Sequence, residues 1–277
     1  VPGVGQNLSD HIFVHFRVLA PEGMDYSLPM SIITNDESIK LWREFKTGPA
    51  DYFTENTIGL MKLDDASETP DFELIFGFNS GGTSDMLEFA NISNLDGRSG
   101  YSIGVVLLQP ESRGSVTLES SDPMAKPIID PNYLGNANDV QKFVAGVRKT
   151  MDIFDADAIR PYTDIIRISP ESTDGEIENF IRTSLSTTFH PVGTARMGNF
   201  DDPMVVVDSD LRVRGLDNVR IADVSVMPVL NHGHTMAHAV YIGEMAARRI
   251  KQDIPVEMNM PTVDTIEPIV ITNDMEM

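Results

Sequence analysis

Cysteine is missing from this 277-residue chain, and so is any long apolar run. Without cysteine the chain forms no disulfide, uses no thiolate nucleophile and holds no cysteine-ligated metal, although this absence does not decide the compartment. No apolar run approaches the ~18 residues of a membrane-spanning helix, so we expect no membrane insertion. The hydrophobic share of 41% is ordinary for a globular protein. The length suits one large domain or two small ones.

Basic residues are scarce relative to acidic ones. The chain has 21 lysines and arginines against 42 aspartates and glutamates, which gives a formal net charge of −21. Such a charge is repelled by phosphate backbones and anionic lipid surfaces. The composition therefore argues against nucleic acid as a partner, and we interpret the charge as an aid to solubility.

Two signals are absent from the first residues, VPGVGQNLSD. They lack the basic and apolar regions of a signal peptide, and they lack an initiator methionine, so we expect the chain to be a fragment. Gly3 and Gly5 begin a GxG pattern, but Leu8 stands where the third glycine of a GxGxxG dinucleotide motif belongs.

Apolar patterns predict several strands and helices. Strands are predicted at 11–20, 56–63, 71–78, 101–109 and 114–119. Helices are predicted at 37–46, 138–154 and 176–183. Strands interrupted by helices without regular βαβ alternation indicate an α+β fold. We interpret residues 79–100 as a long loop over a site, and Ser112–Gly114 as a tight link between two strands, with Arg113 in a structural salt bridge beside it.

The stretch from Arg220 to Ile250 organises the rest of the chain. A short strand is predicted at 219–222 before Asp223, followed by a turn with His232 and His234 and a helix from about Thr235. The unpaired N–H groups at a helix start suit an electron-rich ligand edge. Histidines just before such a helix can exchange protons with the ligand.

Five blocks carry a family resemblance: residues 1–11 (VPGVGQNLSDH), 110–134 (PESRGSVTLESSDPMAKPIIDPNYL), 189–198 (FHPVGTARMG), 205–228 (VVVDSDLRVRGLDNVRIADVSVMP) and 232–250 (HGHTMAHAVYIGEMAARRI). In this order they resemble the C-terminal half of the glucose-methanol-choline (GMC) FAD-dependent oxidoreductases. The resemblance implies an antiparallel-sheet substrate-binding domain backed by helices, plus the returning C-terminal strand and helix of a Rossmann-like FAD domain.

The resemblance also implies domain boundaries. Residues 1–10 would be the linker from the FAD domain, 11–199 the substrate-binding domain, 200–252 the C-terminal part of the FAD-binding domain, and 253–277 an acidic tail. The glycine-rich motif that holds the ADP half of FAD in this family has no match in the chain.

The site residues follow from the same resemblance. His190 and His234 correspond to the family's catalytic pair, in which one residue accepts the alcohol proton while hydride passes to flavin N5. We favour His190 as the base, and the sequence leaves open which histidine has that role. Cofactor contacts are expected from Asn7, Ala222, Asp223, His234, Thr235 and Met236. Taken alone, Asp223 could equally be a turn or cap carboxylate.

The expected function is oxidation of the CH–OH group of an alcohol, such as an aryl alcohol, a sugar or a steroid alcohol, with FAD as cofactor. A flavin-dependent lyase on the same fold and a non-catalytic fragment without FAD are the alternatives. The electron acceptor stays open. A zinc site at His232, His234 and His238 is a further alternative, but the zinc-protease motif needs glutamate at position 235, where Thr235 stands, so we expect no metal.

Overall fold

The computed structural model describes residues 1–24, 30–51, 55–79, 100–163 and 168–253. Nearly all of the predicted loop at 79–100 and of the acidic tail at 253–277 lies outside the described residues. The strands are β1 (Ile12–Leu19), β2 (Glu55–Met61), β3 (Phe72–Asn79), β4 (Gly100–Leu107), β5 (Ser115–Thr117), β6 (Ile128–Asp130) and β7 (Leu185–Thr187). The α-helices are α1 (Met30–Ile33), α2 (Asp36–Phe45), α3 (Ala137–Phe154), α4 (Asp174–Ser184) and α5 (Met236–Asp253).

The principal sheet is antiparallel, with the strand order β2-β3-β4-β1-β7. Side chains of a strand alternate between its faces, and one face here packs against α3 and α4. That face and the two helices share a core that includes Val14, Phe72, Val105, Phe143 and Ile177, each at most 1% exposed. The predicted α+β class with an antiparallel sheet backed by helices is confirmed.

A second apolar cluster forms between residues 192 and 246. It joins Val206, Val207 and Leu230 to Ile242 and Ala246, which lie on one face of α5. The predicted C-terminal helix is therefore present. No helix in the described ranges combines the length and apolar character needed to cross a bilayer.

Three local predictions are wrong. The link Ser112–Gly114 does not join two paired strands, because β5 pairs with β6. The buried Asp139 carboxylate accepts from the Glu111 and Ser112 N–H groups, each at 2.8 Å, which draws this segment to the start of α3 instead. Arg113 Nη1 donates to the Pro110 and Ser112 carbonyls, and Arg113 forms no salt bridge within the described parts of the chain. The segment 219–222 makes only an isolated bridge from Arg220 to Arg212, so no strand forms there.

The face of the sheet opposite the helices carries His15, which is the basis of a stability prediction. Its ring lies 4.7 Å from the Phe13 ring, its Nδ1 is buried without a hydrogen-bond partner among the described residues, and burial lowers the pKa of His15 to about 4. Below about pH 6.5 the unfolded chain therefore binds more protons than the folded one, and stability falls until about pH 4. We expect His15→Phe to remove about 2 kcal/mol of acid destabilisation at pH 5 relative to pH 8.

The measurement is the urea-unfolding free energy of both proteins at a series of pH values. His11 and other groups titrate equally in both, so the difference between the two curves isolates His15. A difference that stays constant from pH 8 to pH 4 would show that His15 is not held neutral by the fold.

Candidate active site

The fold brings His190 and His234 together, although they are 44 residues apart in the sequence. Their ring centroids lie 4.8 Å apart with the planes at 73°. His190 is half-buried, whereas 52% of the His234 side chain is exposed. The two imidazoles therefore share one site that opens to solvent on the His234 side.

The loop that carries His190 is held in an unusual conformation. Phe189 has φ 61°, a left-handed value that is uncommon for a bulky residue and that marks local strain. The buried Asp10 carboxylate accepts from the His190 N–H at 2.9 Å. At Gly193, φ is +91° and an added Cβ would lie 2.6 Å from the Asn7 carbonyl oxygen. These constraints fix the direction of the His190 side chain.

The turn that carries His234 is held from two sides. Asn231 Nδ2 donates to the Gly233 carbonyl at 2.6 Å and to the His234 carbonyl at 3.2 Å. Gln109, just past the end of β4, donates from Nε2 to the Leu230 carbonyl at 2.8 Å. The segment that follows β4 of the principal sheet thus positions the start of this turn.

Glu73 belongs to the site, and the sequence analysis missed it. It lies on β3, its side chain is 7% exposed, and Oε1 is 3.2 Å from His234 Nε2. A carboxylate accepts, so Nε2 of His234 donates to it. An acidic residue inside the otherwise apolar run FELIFGF, residues 72–78, was the signal that could have pointed to it.

His11, which was not among the predicted site residues, contacts the site directly. It is 1% exposed, and its Nδ1 lies 3.0 Å from Nδ1 of His190. Its Nε2 lies 3.1 Å from the Leu108 carbonyl and 2.9 Å from the Asn231 carbonyl. His11 thereby connects the His190 loop to the segment that leads to His234.

The surroundings keep two of these imidazoles neutral near pH 7. Burial, followed by the charge of His190, lowers the pKa of His11 to about 4 against weaker opposite effects of the two carbonyls. Burial, followed by the charge of His234, also lowers the pKa of His190, and Asp10 opposes this. A neutral imidazole has one nitrogen lone pair that can accept a proton.

The expected cofactor contacts lie around the same loops. Asn7 Nδ2 donates to the Gly193 carbonyl at 3.3 Å, close to the His190 loop. Asp223 is exposed and caps a 3₁₀ turn, Val224–Val226, by accepting from the Ser225 N–H at 2.8 Å. Ala222 beside it is also exposed. The interpretation of Asp223 as a cap carboxylate is therefore confirmed. The second carboxylate oxygen takes no part in this contact.

Helix α5 begins directly after His234 and Thr235. The first N–H groups of any helix have no intrahelical acceptor, and Met236, the first helical residue here, is 77% exposed. Val240 and Tyr241 on the following turn are 62% and 64% exposed. The start of α5, which follows His234 closely in the chain, thus presents backbone donors and exposed apolar side chains.

The other two histidines of this region do not join the site. His232 and His238 are exposed, and the described parts of the chain contain no group of three or more His, Cys, Asp or Glu residues that could hold a metal ion.

Comparison with known proteins places these features in a family. The GMC oxidoreductase family model matches residues 110–243. The oxygen-dependent choline dehydrogenase of Brucella ovis is 33% identical over 263 residues, which cover 92% of this chain and 46% of that protein. The chain belongs to the GMC oxidoreductase family. It corresponds to the C-terminal portion of GMC oxidoreductases and spans about half the length of the curated relatives that it matches.

Solved GMC structures share the fold. A variant of formate oxidase from Aspergillus oryzae RIB40, a protein studied for its FAD modification, superposes with a TM-score of 0.75 at 25% identity, over 90% of this chain and 47% of that one. Pyridoxine 4-oxidase from Mesorbium loti gives a TM-score of 0.70 at 25% identity, over 92% of this chain and 45% of that one. The family resemblance predicted from the five sequence blocks is thereby confirmed.

Proposed function

We propose that the protein to which this chain belongs is an FAD-dependent oxidoreductase that converts the CH–OH group of an alcohol to a carbonyl. The observation that carries the proposal is the contact of two imidazoles at the start of α5, with ring centroids 4.8 Å apart. Family membership supports FAD as the cofactor. We also propose the domain division at residues 10, 199 and 252. Two separate apolar clusters support a division close to the second of these boundaries, since the first cluster ends at Leu185 and the second begins at Val192.

The residues at the start of α5 fit a flavin. The backbone N–H groups of Thr235 and Met236 suit the electron-rich pyrimidine edge of the ring, because a helix start carries partial positive charge. The exposed apolar surface at Val240 and Tyr241 suits contact with further protein or cofactor. Asn7, Ala222 and Asp223 would complete the contacts from the neighbouring loops. When bound, FAD supplies the hydride acceptor.

His190 is the residue that we assign as the base. Its Nδ1 lies near His11 and Thr188, at 3.0 and 3.1 Å, so the ring leaves Nε2 for the substrate. The lowered pKa keeps His190 neutral at pH 7 and ready to accept the hydroxyl proton. As that proton leaves the oxygen, the carbon releases its hydride more easily, and a C=O bond replaces the C–H and O–H bonds.

His234 has a different environment and therefore a different role. The buried Glu73 carboxylate accepts from its Nε2 and fixes the orientation of the ring. An imidazole so oriented, with a carboxylate to balance a positive charge, can stabilise negative charge on the alcohol oxygen. We assign His234 as the partner that orients the substrate oxygen.

A substrate panel tests the proposal. The FAD-loaded protein is mixed without oxygen with choline, an aryl alcohol, glucose and a steroid alcohol in turn. We expect at least one alcohol to reduce the flavin and to yield one carbonyl product per flavin reduced. Carbonyl release without flavin reduction would indicate a lyase, and a protein that stays colourless after FAD addition would indicate a non-catalytic chain.

A further inference from the structure

The hydrogen bonds of His11 determine where its own proton lies. Both atoms near its Nε2 are carbonyl oxygens, those of Leu108 and Asn231, and a carbonyl can only accept. The proton of neutral His11 is therefore on Nε2, and Nδ1 carries the lone pair. Burial keeps His11 neutral, since it lowers the pKa to about 4.

This arrangement determines the proton position of His190 as well. Nδ1 of His11 accepts, so Nδ1 of His190, 3.0 Å away, must be the donor. Thr188 Oγ1 donates its own hydrogen to the His11 carbonyl at 3.0 Å, and it can therefore also accept from Nδ1 of His190 at 3.1 Å. Both neighbours of this nitrogen favour the Nδ1–H tautomer of His190, whose lone pair is on Nε2.

We propose that His11 is a positioning residue that keeps the proton of His190 on Nδ1 and thereby leaves Nε2 as the atom that accepts the substrate proton. The proposal rests on the assigned role of His190 in alcohol oxidation. An imidazole in water prefers the opposite tautomer, in which Nε2 is protonated and cannot accept. Without His11, much of the His190 population would then lack its lone pair on Nε2.

His11 also connects His190 to the turn that carries His234. Its Nε2 contact with the Asn231 carbonyl ties it to the turn whose Asn231 side chain donates to the His234 carbonyl. Among the described residues, the other charged or titratable groups near His190 contact parts of it other than Nδ1. Asp10 accepts from its backbone N–H, and His234, paired with Glu73, lies against its ring.

Two substitutions test the contacts of the two ring nitrogens of His11 separately. In His11→Asn the amide oxygen can take the place of Nδ1 and accept from His190, while the contacts with the carbonyls are lost. In His11→Gln the amide N–H group can reach the carbonyls, while the acceptor for His190 is lost. We expect His11→Gln to slow flavin reduction by alcohol roughly 10²- to 10⁴-fold, the range found when a catalytic imidazole has the wrong tautomer or a base is lost. His11→Asn should retain most of the rate.

The direct readout is the tautomer of His190, measured by ¹⁵N NMR on the FAD-loaded protein with labelled histidine. We expect Nδ1–H in the unaltered protein and in His11→Asn, and a shift to Nε2–H in His11→Gln. Thr188→Val should keep Nδ1–H, because His11 still accepts. This NMR readout decides the role of His11 even if no alcohol in the panel reduces the flavin.

Three outcomes would overturn the proposal. The first is an Nε2–H tautomer of His190 in the unaltered protein, a result that needs no variant to fold. The second is an unchanged Nδ1–H signal in His11→Gln. The third is an equal loss of rate in folded His11→Asn and His11→Gln, which would make His11 a purely structural residue.

Discussion

Replacing His190 by glutamine is expected to slow the reduction of bound flavin by an alcohol roughly 10²- to 10⁴-fold, the usual contribution of a positioned general base. Glutamine keeps a similar size and can still donate a hydrogen bond near His11, but it cannot accept a proton. Unaltered protein should lose rate as the pH falls through the lowered pKa of His190, because the protonated imidazole no longer accepts. The variant should lose that pH dependence together with the rate.

The measurement is stopped-flow reduction of the flavin at several pH values, with the FAD content checked beforehand. His232→Gln is the matched control, because His232 is an exposed histidine of the turn that carries His234 and contacts neither His190 nor Glu73 in the described residues. The control should keep the normal rate. If His190→Gln kept the rate and its pH profile, the base would have to be a different residue.

Removal of the Asp10 carboxylate should have the largest effect on stability. Its oxygens accept from the Tyr133 hydroxyl at 2.6 Å, from Thr187 Oγ1, and from the His190 N–H at 2.9 Å. Burial and Asp10 together raise the pKa of Tyr133, so its hydroxyl stays a donor. Because Asp10→Ala leaves three donors without their acceptor, we expect a loss of roughly 3 kcal/mol or more.

Asp10→Ala should also weaken catalysis, because the His190 loop loses its backbone anchor at the strained Phe189. The free energy of unfolding and the rate of flavin reduction are measured on the same preparations. Asp152→Ala, an exposed aspartate on α3, is the control and should change stability by no more than about 0.5 kcal/mol. Equal stability of the two variants would show that Asp10 does not hold this part of the structure.

The sequence was sufficient to predict the strands and helices in which apolar residues recur with a regular period. Alternation gave β1 and β3, and the apolar spacing of Val140, Phe143 and Val147 gave α3. The pair His190 and His234 came from family blocks rather than from physical pattern. The pairing partners of the strands could not be predicted from the sequence. The partner of β5, for example, depends on where the buried Asp139 holds the segment that precedes β5.

The residues that contact the two site histidines also could not be predicted from the sequence. Glu73 is 161 residues from His234, and His11 is 179 residues from His190. Contacts at such separations depend on the strand order of the sheet, which places β3 and the start of β1 beside the two histidine loops. The periodicity of a sequence predicts the face of a strand or helix on which a residue lies, but it does not predict which distant residue the side chain contacts.

Anaerobic mixing of the FAD-loaded protein with an alcohol deuterated at the carbinol carbon tests the central claim most directly. If hydride leaves that carbon while His190 removes the hydroxyl proton, the flavin absorbance will be lost more slowly with the deuterated alcohol than with the ordinary one, and far more slowly still in His190→Gln. Bleaching that is insensitive to deuterium and to the substitution, or the absence of bleaching by every alcohol of the panel, would contradict the account.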